Sequence, residues 1–341
     1  MPQVDCIIGV DGGGTKTAAW IASIHPDTGI GKDWKIHNRD IIGKGESGPG
    51  NPRSVGFAEA CSNIQRAIEN AWTNAKRPPS KAMVACLGLA GAGRQEEQAV
   101  IESWAIQKQL ASRVLVIDDI QPIRWAAEHE WRESQTSLDS AGLWSNCITL
   151  IAGTGTIARG IDRFGNDARA GGWGYLLGDE GSGFAIGLES LQSICRAVDQ
   201  REPLSKMQKE ILLALRLDDA QQLVAFIYQS PIPRQTVATL APIVLSHSQH
   251  DPVASRIAEN SILSWSYLVQ TVRQVLGFKS AGFSLAVGGG MAKSQEWMVL
   301  RLLEDLDANG CKPSTHWIVR QPVLGCLCIA ASKLDENARE T

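Results

Sequence analysis

Apolar residues come first in short unbroken runs and later in longer stretches with helical spacing. Runs over 6–10, 17–24 and 34–42 predict a three-stranded meander, with Pro26-Asp27-Thr28-Gly29 turning between the second and third strands. Pro52 opens a helical pattern that places Val55, Ala58, Ile64, Ala67, Ile68 and Ala71 on one face, and the Pro78-Pro79 loop ends it. A buried strand over 82–89, a helix over 96–109, a strand over 113–117 and a helix over 122–132 follow. Strands separated by helices pair in parallel, so the fold class is α/β. The polar stretch 133–145 reads as a linker or surface insertion. Beyond it the pattern predicts a hairpin over 148–161 and helices over 183–198, 204–215, 221–228, 237–246 and 251–276. A strand over 283–287, a helix over 294–307 and a closing helix over 325–334 complete it.

The first strand runs into Asp11-Gly12-Gly13-Gly14-Thr15-Lys16-Thr17. Three glycines in a row cost backbone entropy, but they let main-chain N–H groups approach an anion closely. Glycines between apolar runs also mark plain turns; the acid and the two threonines favour a nucleotide phosphate hairpin, with Asp11 placed to hold a magnesium ion through water. The segment misses the Walker pattern, because Lys16 comes one place late and residues 17–21 continue as a strand. Ala152-Gly153-Thr154-Gly155-Thr156 repeats the same logic between two apolar strands. Gly153, Gly155 and Ala158 satisfy a loose dinucleotide pattern as well, yet Gly160 and the turn at Gly165 leave no room for the long helix that pattern requires.

At 341 residues the length suggests two domains. A formal net charge of −3 without a basic run gives no footprint for nucleic acid or an anionic membrane, so a small-molecule partner is expected. No apolar run approaches the roughly 18 residues of a membrane span, and the N-terminal residues lack a signal peptide's regions, which predicts a cytoplasmic protein. The eight cysteines are scattered without a Cys-x-x-Cys, so free thiols and no zinc are expected. The six histidines show no metal or catalytic spacing, and most of the eleven tryptophans fall within helix- or strand-like patterns, as packing residues do.

Taken in order, Asp11 to Thr17, the run Leu87-Gly88-Leu89-Ala90-Gly91-Ala92-Gly93, Asp118-Asp119, Ala152 to Thr156, Gly171-Gly172-Trp173-Gly174, Gly178-Asp179-Glu180-Gly181-Ser182-Gly183 and Gly288-Gly289-Gly290 resemble the motifs of N-acetylglucosamine kinases. The wider group is the BadF/BadG/BcrA/BcrD ATPase family of the actin-like and sugar-kinase superfamily. The resemblance spans nearly the whole chain. It implies two ribonuclease H-like domains around a cleft, ATP between the two phosphate hairpins (Gly12, Gly13, Gly14, Thr15, Lys16 and Thr17; Gly153, Thr154, Gly155 and Thr156), adenosine on Gly288, Gly289 and Gly290, and domain closure over the sugar. The domains would span 1–120 and 121–322, with a closing helix over 323–338 packing back on the first. Relatives are often dimers, so a homodimer is expected.

Phosphoryl transfer is mostly positioning and electrostatics, and it needs backbone cradles, a metal and an acid near the acceptor hydroxyl. Asp119 follows an apolar strand, at the end where α/β sheets keep their ligands. Taken alone it reads as a helix N-cap ahead of Pro122; the resemblance makes it the general base. Relatives carry Asn-Asp or Thr-Asp there, so the extra acid leaves either Asp118 or Asp119 as base, Asp119 being preferred. For the sugar, the resemblance points to Asn51, Ala90, Gly171, Gly172 and Asp179; Asn51 alone reads as a turn residue, and Trp173 as a packing anchor rather than a stacking platform. Ala90 stands where some N-acetyl-specific relatives have serine, while residues 171–183 are closer to N-acetylglucosamine kinases than to glucosamine-specific ones. The expected activity is phosphorylation of the 6-hydroxyl of an amino sugar, foremost N-acetylglucosamine. The alternatives are a glucosamine kinase of the same fold and an ATPase activator or sugar sensor. An activator of this family would need cluster-ligating cysteines beside a glycine-rich motif.

Overall fold

The structure is a computed structural model, and it describes residues 5–24, 36–134, 142–229, 233–278 and 282–334. The chain divides into two compact units, residues 1–140 with 319–341, and residues 141–318.

In the first unit, β1 (Cys6–Gly12), β2 (Thr17–Ser23) and β3 (Ile41–Ser47) form an antiparallel meander. Then come α1 (Pro52–Val55), α2 (Phe57–Asn74), β4 (Ala82–Leu89), α3 (Gln95–Gln107), β5 (Ala111–Asp118) and α4 (Gln121–Ser134). The strand order is β3-β2-β1-β4-β5, with β1, β4 and β5 parallel. Alternation along the strands feeds two cores. Ile8, Val10, Ile21, Leu87 and Leu89 pack with Ile64, Ile68 and Trp72 of α2 and Ile101 of α3. On the other face, Ile7, Trp20, Ala22, Val84 and Cys86 pack with Val323, Leu324 and Leu327 of the last helix, α13 (Pro322–Ser332).

Two expectations change here. The third strand is Ile41–Ser47 rather than 34–42, and a short 3-10 turn precedes it. A Cβ on Gly43 or Gly45 would overlap the Ala71 or Ala67 carbonyl of α2, so these glycines let helix and strand touch backbone to backbone. The turn expected at 26–29 lies outside the described residues. The second change is α4, expected in the second domain, which belongs to the first unit because it packs against α13. That contact is tight enough to test. Ala is the better helix former by about 1 kcal/mol, but a Cβ at Gly325 would overlap the Pro122 carbonyl oxygen. Gly325→Ala is therefore expected to lose about 1–3 kcal/mol in denaturant melts.

The second unit repeats the strand plan. β6 (Cys147–Ala152), β7 (Thr156–Ile161) and β8 (Asp167–Gly171) are its meander; α5 (Gly183–Val198), α6 (Lys206–Ala214), α7 (Gln222–Tyr228), α8 (Pro233–Ala238), α9 (Ala241–His247) and α10 (Pro252–Val275) follow. β9 (Ser284–Gly288), α11 (Gly290–Ser294), α12 (Glu296–Ala308) and β10 (Thr315–Ile318) complete it. The order β10-β9-β6-β7-β8 mirrors that of the first sheet, with β6, β9 and β10 parallel. Ile148, Leu150, Leu285 and Val287 meet Ile186 and Ile194 of α5, Trp265, Val269 and Val272 of α10, and Leu302 of α12. The helices expected over 183–198, 204–215, 221–228, 251–276 and 294–307 correspond to α5, α6, α7, α10 and α12; the one expected over 237–246 is α9 with the end of a separate α8, and α11, β8 and β10 were not predicted.

Candidate active site

In the first unit the strand plan gathers most of the singled-out residues at one end of the sheet. Asp11 pairs in register with Gly88 of β4, and Leu89 pairs with Asp118 of β5, so Asp11 stands at the C-terminal end of β1 and Asp118 and Asp119 at that of β5, on either side of the parallel strand β4. Asp119 is half-buried, and its carboxyl is pushed up from 3.8 to about 7, first by loss of water and then by the charges of Asp11 and Asp118. Asp118 accepts a hydrogen bond from the Gln121 N–H at 3.1 Å. The capping role considered for Asp119 therefore belongs to Asp118.

The first hairpin is tied to two neighbouring loops through main-chain atoms. Gly13 N–H donates to the Lys16 carbonyl at 2.9 Å, Gly50 N–H to the Gly13 carbonyl at 3.0 Å, and Ala90 N–H to the Gly12 carbonyl at 2.9 Å. Ala90 and the Asn51 loop thus stand beside Gly12 and Gly13. A Cβ at Gly14 would meet nothing within 4 Å, so packing does not demand glycine there and the space is left for an approaching group. Two hairpin side chains have other duties. Thr17 is fully buried and donates to the Gly48 carbonyl at 2.8 Å, while Lys16 reaches Glu46 at 2.6 Å in an exposed ion pair. Thr15 is exposed at the turn.

Asn51 caps α1, its Oδ1 accepting the Arg53 N–H at 2.9 Å, which leaves its amide hydrogens for a ligand. The Arg53 guanidinium is held in turn by Glu97 at 2.7 Å. The sequence reading missed the support of this loop. Asn63, 2% exposed, donates to the Pro49 carbonyl at 2.8 Å from within α2.

The second unit brings its own candidates together. Gly183 N–H at the start of α5 donates to the Gly153 carbonyl at 2.8 Å, and a Cβ on Gly153 would lie 3.8 Å from Gly290 N. The second hairpin, the N-terminus of α5 and the Gly288-Gly289-Gly290 turn are thus neighbours. Gly289 has φ 98° and its α-carbon faces the Ala152 carbonyl, so only glycine fits there. Gly171 and Gly172 take φ 76° and 70°, and Gly172 N–H closes onto the Thr156 carbonyl at 3.0 Å. Thr154 is half-buried at the hairpin tip, whereas Thr156 is 2% exposed.

Asp179, expected against the sugar, lies on this hairpin. It is 3% exposed; its Oδ1 accepts the Thr156 N–H at 3.2 Å and its Oδ2 pairs with Arg234 at 3.0 Å. The sequence reading gave no signal for Arg234, which lies 55 residues further along the chain. Trp173 corrects another expectation: it is 66% exposed, with the Arg169 guanidinium 5.0 Å from its ring, so it anchors no core. Its loop also exposes Leu176 and Leu177.

The architecture corresponds to known structures. A Chromobacterium violaceum protein proposed to be an N-acetylglucosamine kinase superposes with a TM-score of 0.70 at 21% identity, over 97% of this chain and 100% of that one. A Porphyromonas gingivalis protein of the same proposed kind gives 0.69 at 17% identity, over 96% and 99%. At such identities the likeness defines the fold: two α/β units of ribonuclease H-like plan. In sequence, the chain is 27% identical over 330 residues to the N-acetylmuramic acid/N-acetylglucosamine kinase of Clostridium acetobutylicum, covering 96% of this chain and 99% of that one. It is 27% identical over 296 residues to the N-acetyl-D-glucosamine kinase of Dictyostelium discoideum, covering 84% and 85%. Residues 8–319 match the model of the BadF/BadG/BcrA/BcrD ATPase family, and the chain belongs to that family.

Proposed function

We propose that this protein is an ATP-dependent kinase that phosphorylates the 6-hydroxyl of an amino sugar, with N-acetylglucosamine as the preferred substrate. The observation that carries this reading is Asp119, a carboxyl raised to about 7 at the C-terminal end of a parallel strand, beside Asp11. A base near neutrality is what proton removal from an alcohol requires. The kinship with curated sugar kinases over nearly the whole chain supports the same conclusion.

In the proposed step Asp119 accepts the hydroxyl proton as the sugar oxygen bonds to the γ-phosphorus, the bond from that phosphorus to the bridging oxygen breaks, and ADP leaves. The first unit supplies Gly12, Gly13 and Gly14 to the phosphates, and Asn51 and Ala90 to the sugar. The second supplies Gly153, Thr154, Gly155 and Thr156 to the phosphates, Gly288, Gly289 and Gly290 to adenosine, and Gly171, Gly172 and Asp179 to the sugar. Thr15 contributes at the rim of the first hairpin; Lys16 and Thr17, engaged by Glu46 and Gly48, serve its shape.

The residues fit a magnesium ion held outside a dedicated cage. Among the described residues, no group of three or more His, Cys, Asp or Glu is arranged to enclose a metal, and magnesium is ordinarily held by one or two carboxylates plus waters and substrate phosphates. Asp11 would hold it through water, and the cation would neutralise charge on the phosphates.

The activator alternative calls for accessible cysteines. Seven of the eight thiols are buried and Cys195 alone is exposed, which favours the kinase. Among the described residues no helix is long and apolar enough to cross a membrane. A homodimer belongs to the proposal on the strength of the family resemblance, and a cytoplasmic location as the expectation from the sequence.

The test is incubation with magnesium-ATP and a panel of hexoses, hexosamines and N-acetylated hexosamines, following ADP and locating the new phosphate ester by NMR. ADP release that depends on N-acetylglucosamine and yields the 6-phosphate supports the reading. Faster turnover of glucosamine selects that substrate instead, and ADP release indifferent to sugars overturns the kinase.

A further inference from the structure

One carboxylate joins the loop after β8 to the second phosphate hairpin. Asp179 has φ 62°, a left-handed conformation uncommon outside glycine, and is held there by both of its oxygens. A Cβ on Gly155 would stand 2.9 Å from Asp179 Oδ2 and 3.0 Å from Arg234 Nη2, so the ion pair lies against the hairpin itself. Burial pushes the Asp179 carboxyl up, while the Thr156 N–H and Arg234 favour its charged form. Arg234 is also fixed in place. Its guanidinium lies 5.4 Å from the Tyr175 ring, which meets Phe184 edge-on at 5.0 Å.

As the structure stands, the Thr156 N–H points at Asp179. The same donor belongs to a hairpin that the proposed function assigns to the phosphates, and the same acceptor to a loop that it assigns to the sugar. Sugar hydroxyls donating to Asp179 would compete for its Oδ1 and release the Thr156 N–H to a phosphoryl oxygen. A carboxylate can make this exchange only if it stays ionised and in place. Without the guanidinium, Oδ2 loses the partner that fixes the side chain, the carboxylate can swing out, and Thr156 is no longer restrained.

We propose that Arg234 is a positioning residue that couples the two substrates: by holding Asp179 against Thr156 it makes sugar occupancy tighten nucleotide binding. This rests on the sugar-kinase reading above. Such coupling is reciprocal, so it can be measured from either ligand.

The experiment measures the Kd of a non-hydrolysable ATP analogue with and without saturating N-acetylglucosamine. In the unmodified protein the sugar is expected to tighten the analogue by at least about fivefold, the lower range of allosteric coupling. In Arg234→Gln the ratio falls to within about twofold of unity while each ligand alone still binds, and Arg234→Lys, which keeps a charge on Asp179, recovers part of it. Tyr175→Leu, which removes the ring beside the guanidinium, should give an intermediate ratio and serves if Arg234→Gln does not fold in a thermal melt. An unchanged ratio in Arg234→Gln, or in Tyr175→Leu should that variant be needed, overturns the proposal. So does a loss of sugar affinity alone, which would make Arg234 a plain sugar contact. If the unmodified protein binds both ligands without coupling, this proposal fails and the kinase reading stands; if it binds neither, the kinase reading fails with it.

Discussion

Asp119→Asn is expected to lower kcat by about 10² to 10⁴ while leaving KM nearly unchanged, because the amide keeps the shape of the side chain and removes only its basicity. In the unmodified enzyme the base must be unprotonated, and its carboxyl is raised to about 7. The rate should therefore climb as pH rises toward that value and level off above it. Normal turnover by the variant would remove Asp119 from the chemistry. The same substitution should make the protein more heat-stable. Asp119 titrates near 3.8 in an unfolded chain and near 7 when folded, so the folded state holds the proton more tightly. The group's contribution is fully favourable below the lower value, fades as pH rises between the two, and is a constant penalty above. The shift corresponds to at most about 4 kcal/mol, and in a chain of 341 residues each kcal/mol relieved should raise Tm by about 1–2 °C. A variant that loses turnover and gains Tm at pH 8, with the gain vanishing near pH 4, would separate a strained functional acid from an ordinary structural one.

The second large effect is expected at Asp11. Asp11→Asn should reduce kcat by at least about 10², the order of effect seen when one charged or hydrogen-bonding partner of a transition state is lost, and it should raise the magnesium concentration needed for half-maximal rate. A further signature follows from electrostatics. Asp11 is the largest single charge holding the Asp119 carboxyl up, so its neutralisation should move the acid limb of the residual activity to lower pH. A variant with the limb in its original place would mean that the two acids do not sense each other. One with unaltered magnesium dependence would take Asp11 out of metal binding.

Much of this was legible in the chain. The first hairpin could be read because three consecutive glycines follow an apolar strand; close packing against Leu89 accounts for Gly12, whereas Gly14 faces open space. Asp118 and Asp119 could be placed because a strand's end is visible where Val114 to Ile117 gives way to acids. Where the reading fell short, the cause was a contact remote in sequence. Gly43 and Gly45 resemble a loop until α2 is laid over them. Strand β8, Asp-Ala-Arg-Ala-Gly, carries almost no apolar signal because it is short and lies at the sheet's edge. The assignment of α4 to the first unit depends on α13, almost two hundred positions away, and Arg234 reveals itself only through Asp179. Trp173 reads as packing because tryptophan usually is; in the fold it is 66% exposed between Gly172 and Gly174, both at positive φ.

The discontinuity of the first unit bears on how the protein is made. Its sheet leaves Ile7, Trp20, Val84 and Cys86 to be covered by α13, yet all of residues 141–318 must leave the ribosome before that helix exists. The second unit, by contrast, has its meander, helices and remaining strands all encoded without interruption over residues 141–318. Throughout that interval the early half of the nascent chain lacks the helix that covers this apolar face.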